Sequence, residues 1–122
     1  MSSKHKKQFG IWMDTHTATV VGRKGDDFSV IGTAKNPTTP GNSSENAENN
    51  HEQTLLAKYF KEIATHITNA EEVHVTGTGT AQEQFIHFLA DTAQFKDVKT
   101  SECTTEQMSD DKLIEHITAK FH

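Results

Sequence analysis

Residues 9–22 read Phe9-Gly10-Ile11-Trp12-Met13-Asp14-Thr15-His16-Thr17-Ala18-Thr19-Val20-Val21-Gly22, and this stretch decides the fold. Phe9, Ile11 and Met13 alternate with Gly10, Trp12 and Asp14, which is the period of a strand, and Asp14 opens a polar turn. The β-branched run 17–22 predicts a second strand, and 28–33 (FSVIGT) a third, behind the turn Lys24-Gly25-Asp26-Asp27. Three strands joined by short turns make an antiparallel meander.

Downstream the period changes. Residues 35–50 (KNPTTPGNSSENAENN) hold both prolines and no large apolar side chain, and they predict a flexible loop. Asn50 and Gln53 have capping-box spacing, and Leu55, Leu56, Tyr59, Phe60, Ile63 and Ile67 follow at helical intervals, predicting a helix from about Glu52 to Thr68. Val73 and Val75 predict a short buried strand that ends at Gly77-Thr78-Gly79. Thr80 and Glu83 then suggest a second capping box, ahead of a helix with Ala81, Phe85, Phe88 and Leu89 on its inner face. Residues 98–103 predict a fifth strand, and Ser109 an N-cap for a last helix striped by Leu113, Ile114, Ile117 and Phe121. The order β-β-β-α-β-α-β-α predicts one α/β domain of the ribonuclease H-like kind, with a five-stranded mixed sheet and three helices.

Composition narrows the classes of function. The chain has 122 residues, 33% of them hydrophobic and 24% charged, which suits one domain over residues 9–122 behind a flexible basic tail at 1–8. No window approaches the ~20 apolar residues of a membrane span, and the first residues lack the apolar core of a signal peptide, so a cytoplasmic protein without a membrane partner is expected. The single cysteine, Cys103, excludes an internal disulfide, and a Cys-based zinc site is not expected. The eight histidines show no HExxH or comparable spacing, so no metal and no cofactor is expected. Net charge is -5, divided into +3 over residues 1–35 and -8 over the remainder. That field disfavours a phosphate coat and a DNA partner, and it leaves Lys4, Lys6, Lys7, Arg23 and Lys24 as the residues for a local RNA contact.

Four segments carry a family likeness. The 11–21 hairpin (IWMDTHTATVV) resembles the first hairpin of small bacterial proteins related to the middle domain of class I peptide chain release factors and Pelota. Gln53 with Tyr59-Phe60 resembles their Gln-containing helix with a central Tyr. Val75-Thr76-Gly77-Thr78-Gly79-Thr80-Ala81 resembles their strand followed by Gly-Pro-Gly-Glu-Ala, and 101–114 (SECTTEQMSDDKLI) resembles a Glu-Thr-Ala-Asp-Lys-Met-Thr-Asp-Asn-Gln-Ile run. The likeness covers nearly everything outside residues 1–8 and the Asn-rich loop. It implies the release-factor scaffold and a ribosome or ribosomal RNA partner, in the specific form of a monomeric stress or hibernation factor. Where release factors carry the Gly-Gly-Gln loop that hydrolyses peptidyl-tRNA, this chain has Pro40-Gly41-Asn42-Ser43-Ser44, and no Gly-Gly-Gln occurs in it. Hydrolysis is not implied, and Gly41 and Asn42 become binding candidates.

The alternative is a small hydrolase or nucleotide-binding enzyme using Gly77, Thr78, Gly79 and Thr80, because a strand-to-helix turn presents backbone N–H groups to an anion. Against it, the turn lacks the P-loop lysine and the full GxGxxG spacing. Asp14 stands where ribonuclease H-like nucleases keep a metal-binding carboxylate, yet the fourth strand offers no second acid and Glu62 on the first helix is a poor partner, so Asp14 is read as a turn residue. His16 has no identifiable nucleophile beside it. Cys103 is read as a small, partly buried side chain without a helper histidine. No catalytic residue is assigned.

Overall fold

The structure, a computed structural model, describes residues 7–25, 27–36 and 48–121, the last range by backbone alone as far as residue 54. Lys4, Lys6, Gly41 and Asn42, and most of the expected tail and loop, lie outside the described residues. The elements run β1 Gln8–Met13, β2 Thr17–Lys24, β3 Asp27–Lys35, α1 Glu48–Thr65, β4 Glu72–Gly77, α2 Thr80–Asp91, a 3-10 turn at Ala93–Phe95, β5 Lys99–Thr104 and α3 Asp110–Phe121. They form one sheet in the order β3-β2-β1-β4-β5. β1 pairs antiparallel with β2 and parallel with β4; β2 pairs antiparallel with β3, and β4 parallel with β5. The expected mixed sheet with three helices is therefore present.

Strand parity sends side chains to two cores. Ile11, Met13, Val20, Val73 and Val75 face α1 and α2, where Tyr59, Phe60, Ile63, Phe85 and Leu89 close over them. Trp12, Val21 and Phe28 face the opposite way and pack under Leu113 and Ile117 of α3. Trp12, of opposite parity to Ile11 and Met13, is buried there. Its indole Nε1 has no hydrogen-bond partner among the described residues.

α3 approaches the sheet closely because Gly10 offers no side chain: a Cβ built at Gly10 would fall 2.2 Å from Ile117 Cδ1. Gly10→Ala is expected to cost about 1–3 kcal/mol by overpacking, measured by urea denaturation. Combining it with Ile117→Val should cost less than the two changes added, since both act on one contact. Strict additivity would show that the helix does not rest on Gly10.

Three expectations need correction. α1 runs from Glu48 to Thr65 rather than from 52 to 68, so the last three residues of the expected 35–50 loop are helical, while Lys35, its first, ends β3. Asn50 is then inside α1 and cannot be its cap. At α2 the N-cap is Gly79, one residue before Thr80, and the side chain that accepts its N–H is Gln82 rather than Glu83. Ser109 behaves as expected, its Oγ accepting the Lys112 N–H at 3.3 Å. The β2–β3 pairing also shifts register between Val20 and Val21, which leaves Ile31 as the exposed large apolar side chain among the described residues.

Candidate functional site

The carboxyl ends of β1 and β4 lie side by side, with Met13 opposite Gly77. In open α/β sheets this is the end where ligand-binding crevices form. Asp14 builds the first half of the end. Its Oδ1 accepts N–H groups from His16 and Thr17, each at 2.8 Å, so the carboxylate ties the β1–β2 turn together as the sequence reading expected. Its carbonyl accepts the Tyr59 hydroxyl at 2.8 Å. Burial, and secondarily the Asp14 carboxylate, push the Tyr59 phenol well above its ordinary value, so it stays a donor. Tyr59→Phe is expected to cost about 1 kcal/mol in denaturant unfolding. An unchanged midpoint would show that the tie from α1 to the turn is unimportant.

Beyond the turn, the chain leaves β3 at the same end. The Asn36 N–H donates to the His16 carbonyl at 2.8 Å, and the Asn36 amide to the Thr15 carbonyl at 2.9 Å. Asn36 is thereby held beside the Asp14 turn. His16 is exposed, and its ring lies 3.1 Å from the Thr15 hydroxyl.

The second half is the 77–80 turn, and its interior is already occupied. Gln82, fully buried, accepts the Gly79 N–H on Oε1 at 2.9 Å. Its amide nitrogen donates to the Cys103 carbonyl at 3.1 Å and to the Gly77 carbonyl at 3.4 Å. A carboxamide thus takes the Gly79 donor that an anion would need, and it bridges β4, β5 and α2. Gly79, at φ 157, and Gly77, packed on the Met13 carbonyl, serve backbone shape. Two clefts among the described residues lie elsewhere, one lined by Ala70, Glu72, Val98 and Lys99 at the amino ends of β4 and β5, the other between Lys61 and Phe95 beside α1.

The described basic candidates gather at the opposite end of the sheet. Lys7 immediately precedes β1, and Arg23 and Lys24 close β2. Lys7 and Lys24 are exposed. Arg23 is engaged within the fold: Nε donates to the Gly25 carbonyl at 2.9 Å, Nη1 donates to Gln8, and the guanidinium lies 5.4 Å from the Phe28 ring centroid. Lys7, Arg23 and Lys24 therefore share one end, while Gly77, Thr78, Gly79 and Thr80 share the other. These residues do not form a single surface.

One constellation escaped the sequence reading. Cys103 is not without a helper: His74 Nε2 lies 3.3 Å from its Sγ and His116 Nε2 3.5 Å from it. The Sγ also approaches the Thr76 hydroxyl at 3.2 Å, which pairs with Thr105 at 2.8 Å. His74 is 3% exposed, and burial, then the charges of Lys120 and His116, hold its imidazole down at about 4. The three residues come from β4, β5 and α3, so no sequence spacing links them. Parity was the available signal: His74 points opposite to Val73 and Val75, and His116 lies beside Leu113 and Ile117 on the inner stripe of α3.

No protein-family model matches the chain, and no curated protein matches its sequence. Among the described residues no helix is long and apolar enough to cross a membrane. Solved structures do match. The Pelota protein of Thermoplasma acidophilum superposes with a TM-score of 0.60 at 16% identity, over 91% of this chain and 31% of its own. Pelota of Archaeoglobus fulgidus gives 0.57 at 11% identity, over 97% and 35%. An archaeal translation termination factor, aRF1, gives 0.58 at 15%, over 93% and 34%. The chain spans about a third of the length of each of these proteins, and it has a release-factor-like fold.

Proposed function

We propose that the protein is a non-catalytic binding module of the translation apparatus, attached to the ribosome as a stress or hibernation factor. The observation that carries this reading is the likeness to Pelota and to a translation termination factor along more than nine-tenths of the chain. The residues argue for binding rather than chemistry. The sequence holds no Gly-Gly-Gln, Asp14 spends its carboxylate on a turn, and Gln82 fills the turn that a nucleotide enzyme would use. Contact is assigned to the carboxyl-end surface of β1 and β4 and to the segment that follows Asn36, with Lys4, Lys6, Lys7, Arg23 and Lys24 supplying weaker attraction to phosphate.

Two measurements on the purified protein separate this reading from an enzyme. Co-sedimentation with ribosomes through a sucrose cushion is expected, with no thermal stabilisation by ATP, GTP or inorganic phosphate. Stabilisation by a nucleotide, abolished by changing Thr80, together with absence from the ribosomal pellet, would overturn it.

A further inference from the structure

We propose that His74, Cys103 and His116 form a binding site for a single zinc ion, clamping α3 to the outer strands of the parallel half of the sheet. This inference is independent of the ribosomal reading.

The sheet register builds the site. His74 pairs with Ser101, and Thr76 with Cys103, so these four side chains stand on one face of β4 and β5. That face is the one α3 covers, since Gly10 pairs with His74 and meets Ile117. His116 precedes Ile117 and follows Leu113 by three residues, which turns it toward the same place. The three donor atoms lie within 4.8 Å of one another.

Their spacing fits a particular coordination geometry. Zinc with bonds of about 2.0–2.1 Å to nitrogen and about 2.3 Å to sulfur, at the tetrahedral angle, separates the two ligand atoms by roughly 3.5 Å. The observed separations from Sγ are 3.3 and 3.5 Å. An ordinary packing contact does not require both imidazoles to aim Nε2 at one sulfur.

The surroundings prepare the donors as well. His74 Nδ1 lies 2.7 Å from Ser101 Oγ. The tautomer in which Nδ1–H donates to that hydroxyl leaves the Nε2 lone pair facing Cys103, and a metal-binding histidine characteristically has its second nitrogen held in this way. Metal binding releases the thiol proton to bulk water and forms a zinc–thiolate bond, in which the thiolate neutralises part of the ion's charge. Cys103 and His116 are only partly buried, which gives an ion a path from solvent.

Donor chemistry selects the ion. Two imidazoles and a thiolate suit zinc and neighbouring late transition metals, whereas magnesium and calcium require carboxylate or carbonyl oxygen. Three protein donors leave the fourth position of a tetrahedron to water or to a partner's side chain.

The test uses chelator-stripped protein titrated with Zn2+ in competition with a chromophoric chelator, and with Co2+ as an optical probe. Expected results are one ion per chain, a rise in melting temperature with Zn2+ but none with Mg2+, and a thiolate-to-cobalt charge-transfer band. Cys103→Ser should abolish that band. Cys103→Ser and His116→Ala, at partly exposed positions and checked by circular dichroism for an unchanged fold, should each weaken Zn2+ binding by about 10-fold or more, and Ser101→Ala by about 10-fold through ligand orientation. His87→Ala, on an exposed face of α2, should change nothing. Zinc affinity that survives both Cys103→Ser and His116→Ala, or a cobalt complex without the thiolate band, would overturn the proposal.

Discussion

Phe85→Ala is expected to cost about 3–5 kcal/mol, the range for removing a fully buried phenylalanine. Phe85 is at 0% exposure between α2 and the sheet. Its ring meets Phe60 edge-on at 5.3 Å between centroids and lies nearly parallel to Phe88 at 6.0 Å, while Phe60 and Phe88 are 5.6 Å apart. The loss therefore combines the transfer of a large apolar side chain, a cavity and two aromatic contacts. Small domains have only about 5–15 kcal/mol in all, so the change removes a large share of the stability. Urea unfolding should show a strongly lowered midpoint at an unchanged slope, and the thermal midpoint should fall by roughly 10 °C or more. A cost below 1 kcal/mol would mean that α2 is not packed as described.

Gly77→Ala is expected to be as severe for a different reason. The added Cβ would lie 2.0 Å from the Met13 carbonyl oxygen and 2.9 Å from Gln82 Oε1. The first neighbour is backbone in the adjacent parallel strand, so relief requires opening the β1–β4 pair. The second is the carboxamide that joins β4, β5 and α2. A loss of roughly 3 kcal/mol or more, or failure to accumulate folded protein, is expected. Gly25→Ala is the control: Gly25 has φ 60 with nothing within 4 Å of an added Cβ, so only the left-handed backbone penalty of about 1–2 kcal/mol applies. Equal effects at the two glycines would contradict the close approach at the strand end.

The parts of the structure with a strong local period were legible in the sequence. Alternation in 9–13 and the β-branched runs that follow it place β1, β2 and β3, and the opposite parity of Trp12 anticipates a second packed face. The 3.6-residue recurrence from Leu55 to Ile63 places α1 but not its start, because residues 48–51 are polar and continue the helix without an apolar signal. At α2, Thr80 and Glu83 have the spacing of a capping box, yet Gly79 and Gln82 hold the cap, since tertiary partners on β5 recruit the Gln82 amide. The turn at Asp14 was legible because its bonds are local. The His74–Cys103–His116 cluster was not, because strand pairing and helix docking bring together residues 13 to 42 positions apart, and spacing rules read only one segment at a time. Nor did charge counts reveal that Arg23 folds back on Gln8, Gly25 and Phe28.

A binding mode with few phosphate contacts has a signature in salt. Residues 36–122 carry -8, so counterion release from the few basic residues of the first segment gives a shallow dependence of affinity on ionic strength. The most direct measurement is a ribosome-binding titration at two salt concentrations, with the intact protein, a variant lacking residues 1–8, and one in which the segment between residues 37 and 47 is shortened. Saturable binding that changes little with salt, drops sharply when that segment is shortened and only modestly when the tail is removed is the expected result. No binding by the intact protein, or binding with a steep salt dependence that naked RNA reproduces, would contradict a translation-associated module that docks through the carboxyl end of its central strands.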